Sequence, residues 1–237
     1  MENVGRQAHW ENVYGTKGET EVSWFQESPT ISLDLIRATG VGLGASIIDV
    51  GGGASRLVDA LLDHGFEAVT VLDVSEKALA TSKARLGTRA SKVRWVVADV
   101  TKWEPSQTFD VWHDRAAFHF LTEPKDRAAY AERVLRAVRP GGYVIIGTFA
   151  LDGSERCSGL PVVRHDATSL GQALGRAFEL GESRRHDHQT PMGGTQRFQF
   201  STFRRVNWRH WNPPCQHVGA RAAESIAGAL DHFVGHD

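Results

Sequence analysis

The chain has little cysteine: two in 237 residues, Cys157 and Cys215. That is too few for a disulfide framework and points to a reducing compartment, so a cytoplasmic location is expected. Surplus charge is lacking as well, with 27 Lys and Arg against 28 Asp and Glu. A nucleic-acid-binding face would need a basic excess or stripe, so nucleic acid is not an expected partner. No apolar run approaches the roughly 18 residues needed to cross a membrane. Met1–Gln7 has no apolar stretch of the kind found in signal peptides. Internal repeats and low-complexity tracts are missing too. What remains is a composition of 41% apolar and 23% charged residues, long enough for one α/β domain with a substantial core.

The most informative stretch is Ile47-Ile48-Asp49-Val50-Gly51-Gly52-Gly53-Ala54-Ser55. An apolar run ends in an acid, three glycines follow, and a helix begins. This pattern predicts a strand that delivers its end to a Gly-rich turn where backbone can approach a ligand closely. Strands are expected at 45–50, 68–72, 93–98, 109–113 and 143–149. Helices are expected at 55–64, 76–86 and 125–138, with Arg139-Pro140-Gly141-Gly142 as a break. Alternating strands and helices imply a parallel sheet with right-handed crossovers. Beyond a loop at 151–161, a helix is expected at 169–177. Strands at 178–188 and 197–206 lie too close for a helix between them and should pair antiparallel.

Three units follow: an N-terminal helical cap over 1–44, a core over 45–206, and a tail over 207–237, either helical over a weakly amphipathic 220–234 or loosely ordered. In the cap, Trp10 and Tyr14 share a helix face, and Ser28-Pro29-Thr30 marks a helix start with proline near the first turn. These aromatics, with Trp24 and Phe25, read either as core anchors or as a lid over the sheet edge.

Asp49, Asp73 and Asp99 end three successive strands, so a parallel sheet brings them out at one carboxyl edge. Asp73 suits the two hydroxyls of a ribose, Asp99 an adenine amino group, and Asp49 a cationic part of the ligand. A pyrophosphate site wants a dipolar cradle poor in carboxylates. No glycine stands three residues after Gly53, where a dinucleotide fingerprint places one. The bland alternative is that the acids are helix N-caps.

These features resemble the class I S-adenosylmethionine-dependent methyltransferases. Asp49–Ser55 is similar to their first motif, Val69–Ser75 to the second, Ala98-Asp99-Val100 to the third and Phe109–Arg115 to the fourth. Leu135–Gly142 is similar to the turn into the fifth strand. His9–Tyr14, Ser23-Trp24-Phe25 and His113–Phe120 resemble the narrower type 12, or methyltransferase-like, group. The resemblance implies a Rossmann-like, doubly wound, seven-stranded sheet of order 3-2-1-4-5-7-6 with the last strand antiparallel, under the N-terminal helical lid. It implies S-adenosyl-L-methionine as cofactor and S-adenosyl-L-homocysteine as product. Asp49, Gly51, Gly52, Gly53, Asp73, Val74, Asp99, Val100, His113 and Trp24 would hold that cofactor.

It further implies in-line methyl transfer to an O, N or S nucleophile, aided by alignment and exclusion of water. His113, Asp114 and Arg115 are the candidates for catalysis or acceptor contact, while His119, between two phenylalanines, reads as a packing histidine. Asp114 and Arg115 read equally as a structural pair or cap. His186 and His188 share a strand face without further ligands, so no metal is expected. A small-molecule acceptor is expected, in a monomer or homodimer. A protein-lysine methyltransferase and a non-catalytic cofactor-binding subunit are the alternatives, and a nicotinamide dehydrogenase is the competing enzyme class.

Overall fold

Ile47 and Ile48 point to opposite faces of one strand, and each joins a different apolar layer. The same period-two alternation recurs in neighbouring strands. Val69, Val71, Val111 and Ile145 side with Ile47, whereas Leu72, Trp112, Val144 and Ile146 side with Ile48. A sheet apolar on both faces needs helices on both, which is why strands and helices alternate along the chain.

The computed structural model describes residues 3–206. Helices α1 (Asn3–Thr16) and α2 (Thr30–Ala38) precede β1 (Ser46–Val50), α3 (Leu57–Asp63), β2 (Ala68–Asp73), α4 (Glu76–Leu86) and β3 (Val93–Val97). Then come β4 (Phe109–Arg115), α5 (Pro124–Ala137), β5 (Val138–Phe149), a hairpin of β6 (Arg156–Cys157) and β7 (Leu160–Pro161), α6 (Ala167–Leu174), β8 (Phe178–Gln189) and β9 (Thr195–Arg205). The main sheet has seven strands in the order β3-β2-β1-β4-β5-β9-β8. Strand β9 runs antiparallel to both neighbours, and the other pairs are parallel. With the hairpin left out of the count, this is the expected order. Leu35, Leu57, Leu61 and Leu79 cover one face, and Tyr130, Val134, Leu170 and Leu174 the other.

Local differences from the sequence expectation have local causes. The loop at 151–161 holds the β6–β7 hairpin, turned through Ser158 and Gly159, both at positive φ (50° and 76°), as a two-residue hairpin turn requires. Strand β5 begins at Val138, and Arg139–Gly142 forms an irregularity in its pairing with β4 in place of a break. Helix α6 starts two residues early because Asp166 caps it, accepting from the Ser169 N–H at 2.8 Å. Pro29 is the cap of α2, one position before the expected N1. The expected tail over 207–237 lies outside the described residues. Among the described residues, no helix is long and apolar enough to cross a membrane.

Candidate active site

The parallel strands deliver Val50, Asp73, Ala98 and Arg115 to one edge of the sheet, and α1 lies across that edge. Between them is a cavity lined by residues of both the sheet edge and α1. Its floor includes Gly51, Leu72, Asp73, Val74, Asp99 and Val100; its far wall is Arg115, Cys157, Gln196 and Phe198. Its roof is aromatic: Trp10 packs edge-on against Trp24 (5.6 Å between centroids) and Phe120 (5.1 Å). Trp24 Nε1 donates to the Tyr14 hydroxyl at 3.2 Å. The cap aromatics are thus both anchor and lid, because α1 docks by the side chains that face the cavity.

Polar contacts pin the lid at both ends. Arg6 reaches Asp126 at 2.8 Å and Asp99 at 3.5 Å. Glu11 accepts from the Glu76 N–H at 2.6 Å, at the start of α4, where a carboxylate also meets the positive end of the helix dipole.

The glycine turn has a stated geometry. Gly51 has φ +69°, and its N–H and that of Gly52 both point to Leu72 O, at 2.8 and 3.3 Å. Those two donors are therefore not aimed at a ligand anion, unlike the N–H groups of a phosphate cradle. A Cβ on Gly52 would stand 2.5 Å from Asp49 Oδ2, so the missing side chain makes room for that acid. One on Gly53 would stand 2.8 Å from Asp73 Oδ2.

The three strand-end acids have separate environments. Asp73 is buried; its Oδ1 accepts from the Ser75 N–H at 2.8 Å, and Oδ2 receives no hydrogen bond from the described residues. Burial, with Asp49 nearby, pushes its carboxyl up to about 7. A buried carboxylate with an unused oxygen on a cavity wall fits a ligand that brings hydroxyl donors, as the ribose of S-adenosylmethionine does. Asp99 also lines the cavity, but one oxygen takes the Thr101 N–H (2.9 Å) and hydroxyl (2.7 Å), and the other faces Arg6. Asp49 does not line the cavity. It is 2% exposed behind the glycines, and its Oδ1 sits 2.7 Å from Nδ1 of His113. The two residues are register partners on β1 and β4.

Of the three catalytic candidates, the geometry brings only Arg115 to the cavity. His113 is buried with its ring on Asp49. Asp114 faces the α5 layer, accepting from the Tyr130 hydroxyl (2.7 Å) and the N–H groups of Ala117 (2.9 Å) and Phe118 (3.1 Å). It braces the turn after β4, and it makes no pair with Arg115. Arg115 donates through Nη1 to Trp24 O at 2.9 Å and lies 5.0 Å over the Phe198 ring. His119 packs on Phe149 and Phe120, and burial lowers it to about 3, so it is neutral at ordinary pH. His188 sits 2.9 Å from Ser23 O, and His186 meets Phe200 edge-on. Among the described residues, no group of three or more His, Cys, Asp or Glu side chains could hold a metal. Sequence reasoning missed Arg6, Gln196 and Phe198, which reach the site only through tertiary contacts.

Strand order, the acid-ended strands and the glycine turn are those of one class. They are the features of the fold of the class I S-adenosylmethionine-dependent methyltransferases. Residues 47–142 match the sequence model of a methyltransferase domain. A malonyl-[acyl-carrier protein] O-methyltransferase of Paenibacillus sp. (strain JDR-2) is 30% identical over 108 residues, 44% of this chain and 38% of that protein. An N-terminal Xaa-Pro-Lys N-methyltransferase 1 of Rattus norvegicus is 30% identical over 137 residues, 54% of this chain and 61% of that protein. The matched region thus spans less than two thirds of these relatives. Among solved structures, the 1,6-didemethyltoxoflavin-N1-methyltransferase of Burkholderia thailandensis, crystallised with 1,6-didemethyltoxoflavin and S-adenosylhomocysteine, shares the fold. Its TM-score is 0.62 at 22% identity, covering 86% of this chain and 85% of that one.

Proposed function

We propose that this protein transfers the methyl group of S-adenosylmethionine to a nucleophilic atom of a small-molecule acceptor. The observation that carries the reading is the roofed cavity, with Asp73 on its floor and an aromatic lid pinned across it. A site closed by its own chain favours a ligand that can be enclosed over an open groove for a protein surface.

Asp73 and the backbone at Gly51, Val74, Asp99 and Val100 would hold the cofactor, with Trp24, Trp10 and Tyr14 above it. Asp49 and His113 act indirectly, fixing the β1 and β4 ends beneath the turn. When bound, S-adenosylmethionine supplies a methyl group activated by its sulfonium charge. The protein's part is to align the acceptor and to keep water out, which the aromatic roof does. Apart from Asp73 and Asp99, which the cofactor and Arg6 would engage, no described side chain lining the cavity is an evident base: the Cys157 thiol is pushed up to about 11 by burial, and the Tyr14 hydroxyl is also raised. The nucleophile is therefore expected to arrive with a lone pair available, or to lose its proton to solvent.

Calorimetric titration with S-adenosylhomocysteine tests the reading: binding is expected, and binding of NAD in its place overturns it. Transfer of labelled methyl to a metabolite pool identifies the acceptor; label appearing only in protein would establish the protein-methyltransferase alternative. Cofactor binding with no transfer to any pool would establish the non-catalytic subunit.

Asp73→Ala should weaken S-adenosylhomocysteine binding by about 1–3 kcal/mol, through lost charge-assisted hydrogen bonds. Unchanged affinity would mean that the ribose lies elsewhere. A pH dependence follows from the raised carboxyl. Below about 7 the ligand-free Asp73 is protonated, and hydroxyl donors favour the charged form. Affinity should rise with pH toward 7 and then level, with protons released on binding below that point. Titrations in buffers of different ionisation enthalpy measure that release, which Asp73→Asn should abolish.

A further inference from the structure

Arg115 ends β4 two strands away from Asp73 in the sheet, about 10 Å across the edge at the usual interstrand spacing. It therefore stands on the side of the cavity away from the ribose carboxylate, beside Phe198, Cys157 and Gln196. Its guanidinium makes one hydrogen bond, from Nη1 to Trp24 O. Nε and Nη2 are buried and have no partner among the described residues, and no described carboxylate pairs with it. The nearby Cys157 and Tyr14 are neutral at ordinary pH, since burial raises both, and Asp49, whose charge also acts on Arg115, is engaged by His113 and makes no contact with the guanidinium. Burial lowers Arg115 itself only to about 10, so it stays charged.

A buried cation without a carboxylate in contact is costly, and the cost is relieved when an anion enters. Nε and Nη2 share one edge of the planar guanidinium, the edge that a carboxylate spans with two parallel hydrogen bonds. The third nitrogen is anchored to Trp24 O and the plane is held against Phe198, so that edge is presented in a fixed direction. Close by, Gln196 Oε1 is buried and receives no hydrogen bond, while its Nε2 donates to Ser23 at 3.2 Å. The wall therefore offers a bidentate anion site and a neighbouring acceptor, on a surface that is otherwise aromatic.

We propose that the methyl acceptor is a small carboxylic acid with an apolar or aromatic body, whose carboxylate is gripped by Nε and Nη2 of Arg115. The carboxylate is the handle that orients the acceptor, and Phe198, Trp24 and Phe120 pack its body. Gln196 Oε1 can take a hydrogen bond from a donor on that body. The assignment rests on the methyltransferase reading for the word acceptor, but the anion site itself does not.

The test uses the full chain loaded with S-adenosylhomocysteine and titrated calorimetrically with benzoate and with benzamide, which have the same shape and differ in charge. Benzoate should bind about tenfold more tightly or better, the ratio expected of a charge-assisted bidentate pair. Arg115→Gln should erase that preference and leave S-adenosylhomocysteine affinity within about threefold. Equal binding of the two probes to the wild-type protein overturns the proposal, and it does so even if the variant fails to fold. Tighter binding of phenyl phosphate than of benzoate overturns the carboxylate assignment. If Arg115→Gln weakens S-adenosylhomocysteine but not 5′-methylthioadenosine, which lacks the amino-acid group, the guanidinium serves the cofactor and the proposal falls. Failure of S-adenosylhomocysteine to bind at all would instead sink the methyltransferase reading, and a benzoate preference in the unloaded protein would still support the anion site.

Discussion

Replacing Asp114 with alanine is expected to destabilise the fold by about 3 kcal/mol, with the loss read as a lower urea midpoint. The carboxylate is fully buried and serves three donors at once: the Tyr130 hydroxyl and the N–H groups of Ala117 and Phe118. Alanine leaves all three buried without an acceptor, and such a group costs about 1–3 kcal/mol when nothing replaces its partner. The Tyr130 hydroxyl also accepts from Trp112 Nε1 at 2.8 Å, so the damage reaches the largest side chains of that layer. Ala116 adds a second reason. It sits at φ +69°, a conformation that non-glycine residues hold only when their surroundings impose it. The bonds from Ala117 and Phe118 to Asp114 are that imposition. Loosening them frees the turn that follows Arg115.

The pH dependence of this variant has a definite sign. Burial raises the Asp114 carboxyl to about 6, against an ordinary value of 3.8. The folded state then binds a proton that the unfolded state releases between those values, so this group's contribution declines as pH rises from about 4 to 6. The stability gap between wild type and Asp114→Ala should be widest near pH 4 and narrower at pH 7. A gap that grew with pH would mean that Asp114 is held mainly as a stabilised anion.

Period-two and period-3.6 patterns made the strands and helices legible, because each element buries one or both faces against a neighbour. The acids ending β1, β2 and β3 were legible as an edge for the same reason: their places follow from strand ends alone. Their individual duties were not. Whether Asp49 meets a ligand or His113 depends on β1 and β4 being neighbours in a register that sets the two residues side by side. Asp99 looked available until Arg6, 93 residues earlier, reached it across α1. Gln196 and Phe198 come from the closing antiparallel strand, and nothing in their local sequence marks them as cavity wall. Arg115 was legible as a candidate from its place after the fourth strand; that its guanidinium edge lacks an acidic partner could be seen only in three dimensions. Ala116 gave no signal either, since alanine is not a residue that positive φ recruits.

Gly51→Ala should combine a loss of stability with a loss of the site, and a second glycine separates the causes. At φ +69°, a Cβ costs about 1–2 kcal/mol from backbone strain alone. Here it would also stand 2.6 Å from the Cβ of Ala117, on the turn that Asp114 holds, so neither side can yield without disturbing the other. Overpacking of that kind adds about 1–3 kcal/mol. Gly40 is the control: it has φ +74°, and nothing lies within 4 Å of where its Cβ would be. Gly40→Ala should therefore show the strain cost only, with S-adenosylhomocysteine affinity unchanged. Gly51→Ala should lower the melting temperature further and weaken that affinity by about a hundredfold, because two to three kcal/mol of displacement falls on the cavity floor. Equal melting temperatures for the two variants would show that the β1 and β4 turns do not touch as described. Equal affinities would show that the cofactor does not lie on the Gly51 turn, and with it the floor of the site would have to be drawn elsewhere.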